Sequence, residues 1–262
     1  MRPLAEFPLA AQRRIRGVLC DIDDTLTTGG RLTAPAYAAM EALQRAGLLV
    51  IPITGRPAGW CDHIARMWPV DAVVGENGAF YFRYATRKMV RRYMVSAGQR
   101  AADRVRLVAI RDRILAAVPG CAVAADQHYR EADLAIDYCE DVPRLPPAAV
   151  DKIVSLMQQE GLTAKVSSIH VNGWFGAYDK LAMTKTLMCE CFDVDLDARK
   201  DEFVFAGDSP NDAPMFAYFP HAVGVANIRA FSGQLSTEPA YMTQAESGAG
   251  FCELVDFLLA AR

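Results

Sequence analysis

Four short apolar runs break off into polar turns: "GVLCDID" (17 to 23), "GLLVIPIT" (47 to 54), "DAVVGEN" (71 to 77) and "EFVFAGD" (202 to 208). Near-continuous apolarity over four to six residues predicts strands buried on both faces, as in a parallel sheet. Between them the apolar positions recur at helical spacing. "APAYAAMEALQRAG" (34 to 47) carries Pro35 near its first turn and stops at Gly47, which are helix start and stop signals. "FCELVDFLL" (251 to 259) places Phe251, Leu254, Val255 and Leu258 on one stripe. Strand, turn, helix, strand predicts an α/β doubly wound fold.

From about 80 to 175 the rhythm changes. "AFYFRY", "RRYMV", "ADLAIDYCE" and "TAKVSSIHVNGWF" read as strands with more polar residues at alternate places, the pattern of an antiparallel sheet with one open face. Leu107, Ile110, Ile114 and Val118 fall at helical spacing. So do Val150, Ile153, Val154 and Met157, and that run ends at Gly161. A smaller α+β domain inserted into the α/β domain is the expected organisation.

Composition narrows the class. The 262 residues are 52% hydrophobic and 23% charged, enough to bury a core. A net charge of −3 argues against nucleic acid, whose proteins carry strongly basic domains. Seven cysteines with no repeating spacing argue against a disulfide framework and for a reducing compartment. Cys189 and Cys191 do not make a metal pair, because residues two apart on a helix do not share a face. No apolar run approaches the roughly 18 residues of a membrane span, and the first residues lack the apolar stretch of a secretory signal. The expected protein is soluble and cytoplasmic, with no membrane partner. Its oligomeric state is not readable.

Ligands of open α/β sheets sit off the carboxyl ends of the strands. Those ends read Asp21-Ile-Asp23-Asp24-Thr25, Thr54-Gly55-Arg56-Pro57, Gly75-Glu76-Asn77-Gly78 and Gly207-Asp208-Ser209-Pro210-Asn211-Asp212. Carboxylates, a threonine hydroxyl and glycine-bearing backbone suit a hard divalent cation plus a phosphate. Mg²⁺ prefers one or two carboxylates together with substrate phosphate. Asp21 and Asp23, two apart, can point the same way where the strand ends. One can attack phosphorus while the other handles a proton.

"DIDDTLT", "ITGRP", the lysine of "YDKLAMTKTL" and "FAGDSPND" resemble, in order and spacing, the four signature motifs of the haloacid dehalogenase superfamily of phosphohydrolases. "VVGENGAF" and the long insert resemble the subgroup with a type-IIB α/β cap, which includes Cof-type, sucrose-phosphate and mannosyl-3-phosphoglycerate phosphatases. The resemblance implies a Rossmannoid core over 1–83 and 178–262 with a mostly parallel sheet, and an α+β cap over 84–177 that sets specificity. It implies Asp21 as nucleophile, and Asp23 as acid and base with its backbone carbonyl on Mg²⁺. Thr54 would hold a phosphate oxygen and Lys180 would offset charge. Asp208 would ligate the metal, with Asn211 and Asp212 orienting the site. Metal ligands are then expected from Asp21, Asp23 and Asp208. Lys185 competes with Lys180, but Leu187 then stands where the family has an apolar residue, which favours Lys180.

Substrate contacts are expected from Thr54, Gly55, Arg56, Asn77, His170 and Asn172. Arg56 could be an anchor or a contact. Ser168, His170, Asn172 and Trp174 would share one strand face and suit a polyol. Asp137 could meet sugar hydroxyls. Arg83, Arg87, Lys88, Arg91 and Arg92 could hold a second anion or be solvated. The expected activity is a Mg²⁺-dependent phosphatase acting on a small phosphorylated metabolite, a sugar phosphate, through an aspartyl-phosphate. The alternatives are a sugar phosphomutase on the same scaffold and a non-enzymatic phospho-acceptor module.

Overall fold

The computed structural model describes residues 1–262. Its central sheet has six parallel strands in the order Arg2–Pro3, Tyr241–Met242, Ala222–Gly224, Phe203–Gly207, Gly17–Cys20, Leu49–Pro52. The apolar runs are continuous because alternate residues feed two cores. Val18, Val50 and Val204 belong to one core, which includes Phe251 and Leu254. Leu19, Ile51 and Phe205 belong to the other, which includes Met183, Leu187 and Phe216. Helices Ala34–Arg45 and Ser247–Leu259 pack together on the first face. Helix Lys180–Phe192 supplies the second. Gly47, with φ of +76°, stops the helix 34–45 as its left-handed exit requires. No helix is long and apolar enough to cross a membrane.

A parallel bridge between Ile53 and Val74 carries the sheet on to Val73–Gly75. That strand pairs antiparallel with Phe80–Ala85, which pairs with Lys88–Tyr93. The boundary expected between residues 83 and 84 therefore cuts a strand. The hairpin 80–93, expected in the smaller domain, is backbone-paired to the core, and we place the start of the inserted unit after Tyr93. Its polar alternation has an ordinary cause: an edge hairpin of the core is half solvated, as a small antiparallel sheet would be.

The inserted unit is a four-stranded antiparallel sheet ordered Thr163–Val166, His170–Trp174, Asp133–Asp137, Ala122–Val123. Helices Ala97–Ala117 and Pro147–Gln159 cover one face. Period-two alternation sorts the residues. Leu134, Ile136 and Val171 join Leu107, Ile110, Ile114, Ile153 and Met157 in a separate core. Burying each such side chain stabilises the unit by about 1.5–3 kcal/mol. Asp133, Asp137, His170 and Asn172 lie on the opposite, polar face, with Asp137 paired to His170 and Asp133 to Trp174 across the ladder.

Candidate active site

The strand Gly17–Cys20 lies between Phe203–Gly207 and Leu49–Pro52. All three end at one edge, and their exits make the site. Asp21 leaves the sheet with its N–H still bonded to Ala206 O, 2.9 Å. A tight turn follows, in which the N–H groups of Thr25, Leu26 and Thr27 share Ile22 O. Asp24 takes a left-handed φ of +55° in that turn.

Lys180 opens its helix behind the Asp179 N-cap, whose carboxylate accepts from Ala182 N–H at 2.8 Å. Its position depends on Gly78. A Cβ there would stand 2.0 Å from Asp179 O, so only glycine lets the Glu76–Gly78 turn touch the start of the helix. Lys180 Nζ donates to Asp21 Oδ1 at 2.6 Å and to Asp212 Oδ1 at 2.8 Å. Asp208 completes the group. It accepts from Thr25 Oγ1 and Asn227 Nδ2, each at 3.3 Å, and its own N–H donates to Asp212 Oδ2 at 3.2 Å.

One carboxylate oxygen each from Asp21, Asp208 and Asp212 lies within 4.8 Å of the others, and all three residues are buried. Burial pushes the Asp21 carboxyl up to about 8, with Lys180 pulling it down and Asp212 and Asp23 adding to the rise. Burial and the neighbouring Asp21 and Asp212 raise Asp208. Burial pulls the Lys180 amine down, but Asp21 and Asp212 outweigh it and hold the amine above its usual value. One ammonium faces three carboxylates, so the cluster is short of positive charge. Oxygen donors with excess negative charge fit a hard divalent cation, and Asp21, Asp208 and Asp212 are the side chains that could hold it. Asp23, expected to reach the cation through its backbone carbonyl, gives no carboxylate to this group. Its side chain turns to Arg56.

Arg56 has a 5% exposed side chain. Its Nε donates to both Asp23 oxygens at 3.0 Å and its Nη2 to Oδ1 at 2.8 Å. Nη2 also reaches Glu140 Oε1 at 2.8 Å, and Nη1 lies 3.5 Å from Asp126. The guanidinium stacks over Trp60 at 4.4 Å. Glu140 and Asp126 belong to the inserted unit, so Arg56 joins the two units.

The cleft between them is lined by Asp21, Asp23, Gly55, Arg56, His170 and Asn172, together with Arg130, Ser167, Ser168, Ile169, Ser209 and Asn211. The open space is about 20 Å³, room for about one water molecule. The inserted unit is seated on the core.

The other expected residues divide. Gly55 reaches the cleft, and its carbonyl accepts from Arg130 Nη1 at 2.9 Å. Thr54 is fully buried behind it, its Oγ1 accepting from Arg56 N–H at 3.0 Å. Asn77 is buried against Gly55 with its Nδ2 unpartnered, outside the cleft lining. His170 Nε2 sits 2.9 Å from Glu140 Oε2, and Asn172 Nδ2 donates to Asp133 at 2.8 Å. Both line the cleft but are tied within their own unit. Asn211 Oδ1 accepts from Ser209 Oγ at 2.7 Å.

Three expectations are corrected. Trp174 does not face a polyol: it is buried against Tyr178, to whose carbonyl its Nε1 donates at 3.2 Å. Ser168 lies in the turn before the strand. Asp137 spends its carboxylate on the N–H groups of Cys139, Glu140 and Asp141, at 2.7–2.8 Å, so it builds a turn. The basic hairpin is paired elsewhere, Arg91 with Asp62 at 2.7 Å, Arg92 with Glu190 at 3.4 Å and Arg83 with Cys191 O at 3.2 Å. None of its residues lines the cleft. Lys185 is an exposed partner of Asp197, 2.7 Å away.

Sequence reasoning put Glu76 at a core strand end facing the inserted unit but missed the joint it makes there. Glu76, buried with a left-handed φ of +43°, accepts N–H bonds from Ala58, Glu131, Ala132 and Asp133, at 2.7–3.2 Å. Burial pushes its carboxyl up to about 8, and Asp133 adds to the rise. Arg130 is bonded to Asp126 at 3.1 Å and Asp133 at 3.0 Å. Burial pulls it down, but Asp133, Asp126 and Glu76 hold it above its ordinary value. The one available signal was an arginine set among acids in "DQHYREAD". Asn227, which steadies Asp208, carried no signal.

The sequence of residues 18–102 matches the model of the haloacid dehalogenase-like hydrolase family. That stretch, which carries Asp21, Asp23, Thr54 and Arg56, is similar to this family. No curated protein matches it in sequence. Solved structures share the fold of this chain over nearly its whole length. The Thermoplasma acidophilum 0175 protein superposes with a TM-score of 0.71 at 18% identity, over 94% of this chain and 98% of that one. The sucrose-phosphatase of Synechocystis sp. PCC6803, solved with sucrose and phosphate, gives 0.63 at 16%, over 93% and 98%. The trehalose-6-phosphate phosphatase C-terminal domain of C. albicans gives 0.68 at 14%, over 97% and 96%.

Proposed function

We propose that this protein is a Mg²⁺-dependent phosphatase that cleaves a small phosphorylated metabolite, a sugar phosphate, through an aspartyl-phosphate on Asp21. The observation that carries the reading is the Lys180 ammonium bridging Asp21 and Asp212, with Asp208 beside them. Segments far apart in sequence meet there to place a nucleophilic carboxylate among groups that manage negative charge.

Asp21 attacks phosphorus. Lys180 holds it in position and, as a compact point charge, offsets the charge of the incoming phosphoryl group. Asp23 gives a proton to the leaving oxygen and later takes one from the attacking water. Backbone at Gly55 and the threonine before it border the phosphoryl position, with Asn211 opposite. When bound among Asp21, Asp208 and Asp212, the cation supplies charge neutralisation during transfer. Such transfer is mainly positioning plus electrostatics.

The sugar part of the reading draws on the Ser168 hydroxyl that lines the cleft. It also draws on the likeness to proteins named for sucrose phosphate and trehalose 6-phosphate. Beside the tight space at Asp21 lies a cavity of about 240 Å³ that shares Asp23, Arg56, Ser168 and Ile169, where the rest of a substrate could lie. The boundary of the cap, its role in specificity and the cytoplasmic setting belong to the same proposal.

The test is phosphate release from a panel of sugar phosphates, with isomer formation followed in parallel. Release should stop with EDTA and return with Mg²⁺. Asp21→Asn should lower kcat by about 10⁴-fold or more. An Asp21→Asn variant near the wild-type rate contradicts the mechanism.

A further inference from the structure

Arg56 and Glu140 have no part in the reaction as described, yet they decide where the Asp23 carboxylate sits. Arg56 is the only side chain that donates to it. Three contacts of 2.8–3.0 Å from one planar guanidinium fix both oxygens, the fork geometry that suits a carboxylate. Arg56 is itself held from the other unit by Glu140, and Glu140 is held at both ends. Its N–H donates to Asp137 at 2.7 Å, and its second carboxylate oxygen lies 2.9 Å from His170 Nε2. The chain His170–Glu140–Arg56–Asp23 therefore runs from the inserted sheet into the catalytic turn. It is complete only while the inserted unit is seated.

We propose that Glu140 is a positioning residue which, through Arg56, holds the Asp23 carboxyl group in place to take a proton from the water that hydrolyses the phosphoenzyme. This rests on the phosphatase reading. In the first half-reaction an Asp21 oxygen bonds to phosphorus and the ester P–O bond breaks. Its electron pair leaves with the alcohol oxygen, which takes the Asp23 proton. In the second, water oxygen bonds to phosphorus and its proton passes to the Asp23 carboxylate. The P–O bond to Asp21 breaks and its electron pair returns to Asp21. Both steps move a proton at Asp23, and the fork from Arg56 fixes where its oxygens stand.

This assignment separates the two half-reactions. p-Nitrophenolate leaves without a donated proton, so kcat/KM for p-nitrophenyl phosphate reports phosphoenzyme formation alone. Glu140→Ala in the full chain with Mg²⁺ should lower kcat for this substrate about 10–100-fold, the scale of a misplaced catalytic group. It should leave kcat/KM within about 3-fold, with KM falling alongside kcat. Pre-steady-state mixing should show a burst of about one p-nitrophenolate per site. Glu140→Gln, which keeps the size and one acceptor, should recover part of the loss. Arg56→Lys, which keeps the charge and loses the fork, should give the same split.

Loss of kcat and kcat/KM together without a burst would overturn the proposal, since a merely structural role lowers both. Unchanged kinetics in Glu140→Ala would overturn it as well. Failure of the phosphatase reading looks different: the wild-type chain would then release no p-nitrophenolate that depends on Asp21.

Discussion

The edge of the parallel sheet and the polar face of the inserted sheet hold similar residues in different states of completion. At the sheet edge three carboxylates share a single ammonium, Lys180. On the inserted face nearly every charge has its partner: Arg130 with Asp126 and Asp133, Asn172 with Asp133, Glu140 with His170 and Arg56. The first region is short of positive charge and so is built to receive something. The second is nearly self-satisfied and so is built to hold a shape. A polar face in a cleft is therefore weak evidence for substrate contact until its internal pairs are counted.

The sharpest break of this contrast lies in the inserted unit. Arg130→Ala would leave Asp126, Asp133 and Glu76 facing one another without their cation. The expected cost is about 3–5 kcal/mol, as when one partner of a buried ion pair is removed. Urea unfolding measures it, and a loss below about 1 kcal/mol would mean that the network is not truly desolvated.

A smaller effect belongs to the sheet edge. Asn227 donates to Asp208 Oδ2 at 3.3 Å and to Asp24 O at 3.0 Å. Asn227→Ala should weaken Mg²⁺ binding about 10-fold, as outer-shell changes do, with little change in unfolding. Calorimetric titration with Mg²⁺ reads this directly. Unchanged affinity would detach Asp208 from the cation.

The smallest effect is in pH. His170 and Arg56 draw Glu140 down from 4.5 to about 2, against its partial burial. A depressed carboxyl contributes stability that is complete above the unfolded value near 4.5 and is lost as pH falls toward 2. After screening by solvent this amounts to about 1 kcal/mol. Glu140→Gln should flatten that part of the stability profile, and an unchanged acid slope would show that the contact contributes nothing.

Much of the sheet edge could be read from the chain. Strand ends are local: an apolar run followed by Asp21 and Asp23, or by Asp208 and Asp212, declares both its burial and its exit. Lys180 was separable from Lys185 only through the family resemblance, which expects an apolar residue at Leu187. The inserted unit was less legible because its meaning lies in contacts between distant residues. Nothing near Glu76 announces that it binds the backbone of residues 131–133. The strand through Ser168 and Trp174 read as continuous, since "SSI" carries no glycine or proline to mark the turn before His170. The hairpin 80–93 has the alternation of any half-solvated ribbon, and only its pairing with Val73–Gly75 assigns it to the core.

The central claim is covalent: the phosphoryl group rests on Asp21 between substrate and water. Mixing the enzyme with Mg²⁺ and p-nitrophenyl phosphate, quenching in acid within milliseconds and mapping the peptides by mass spectrometry tests it. The account predicts one phosphoryl group on Asp21 of the peptide carrying residues 17–30, absent from the Asp21→Asn variant. An active enzyme whose quenched chains never carry it, or carry it on another residue, would contradict the account.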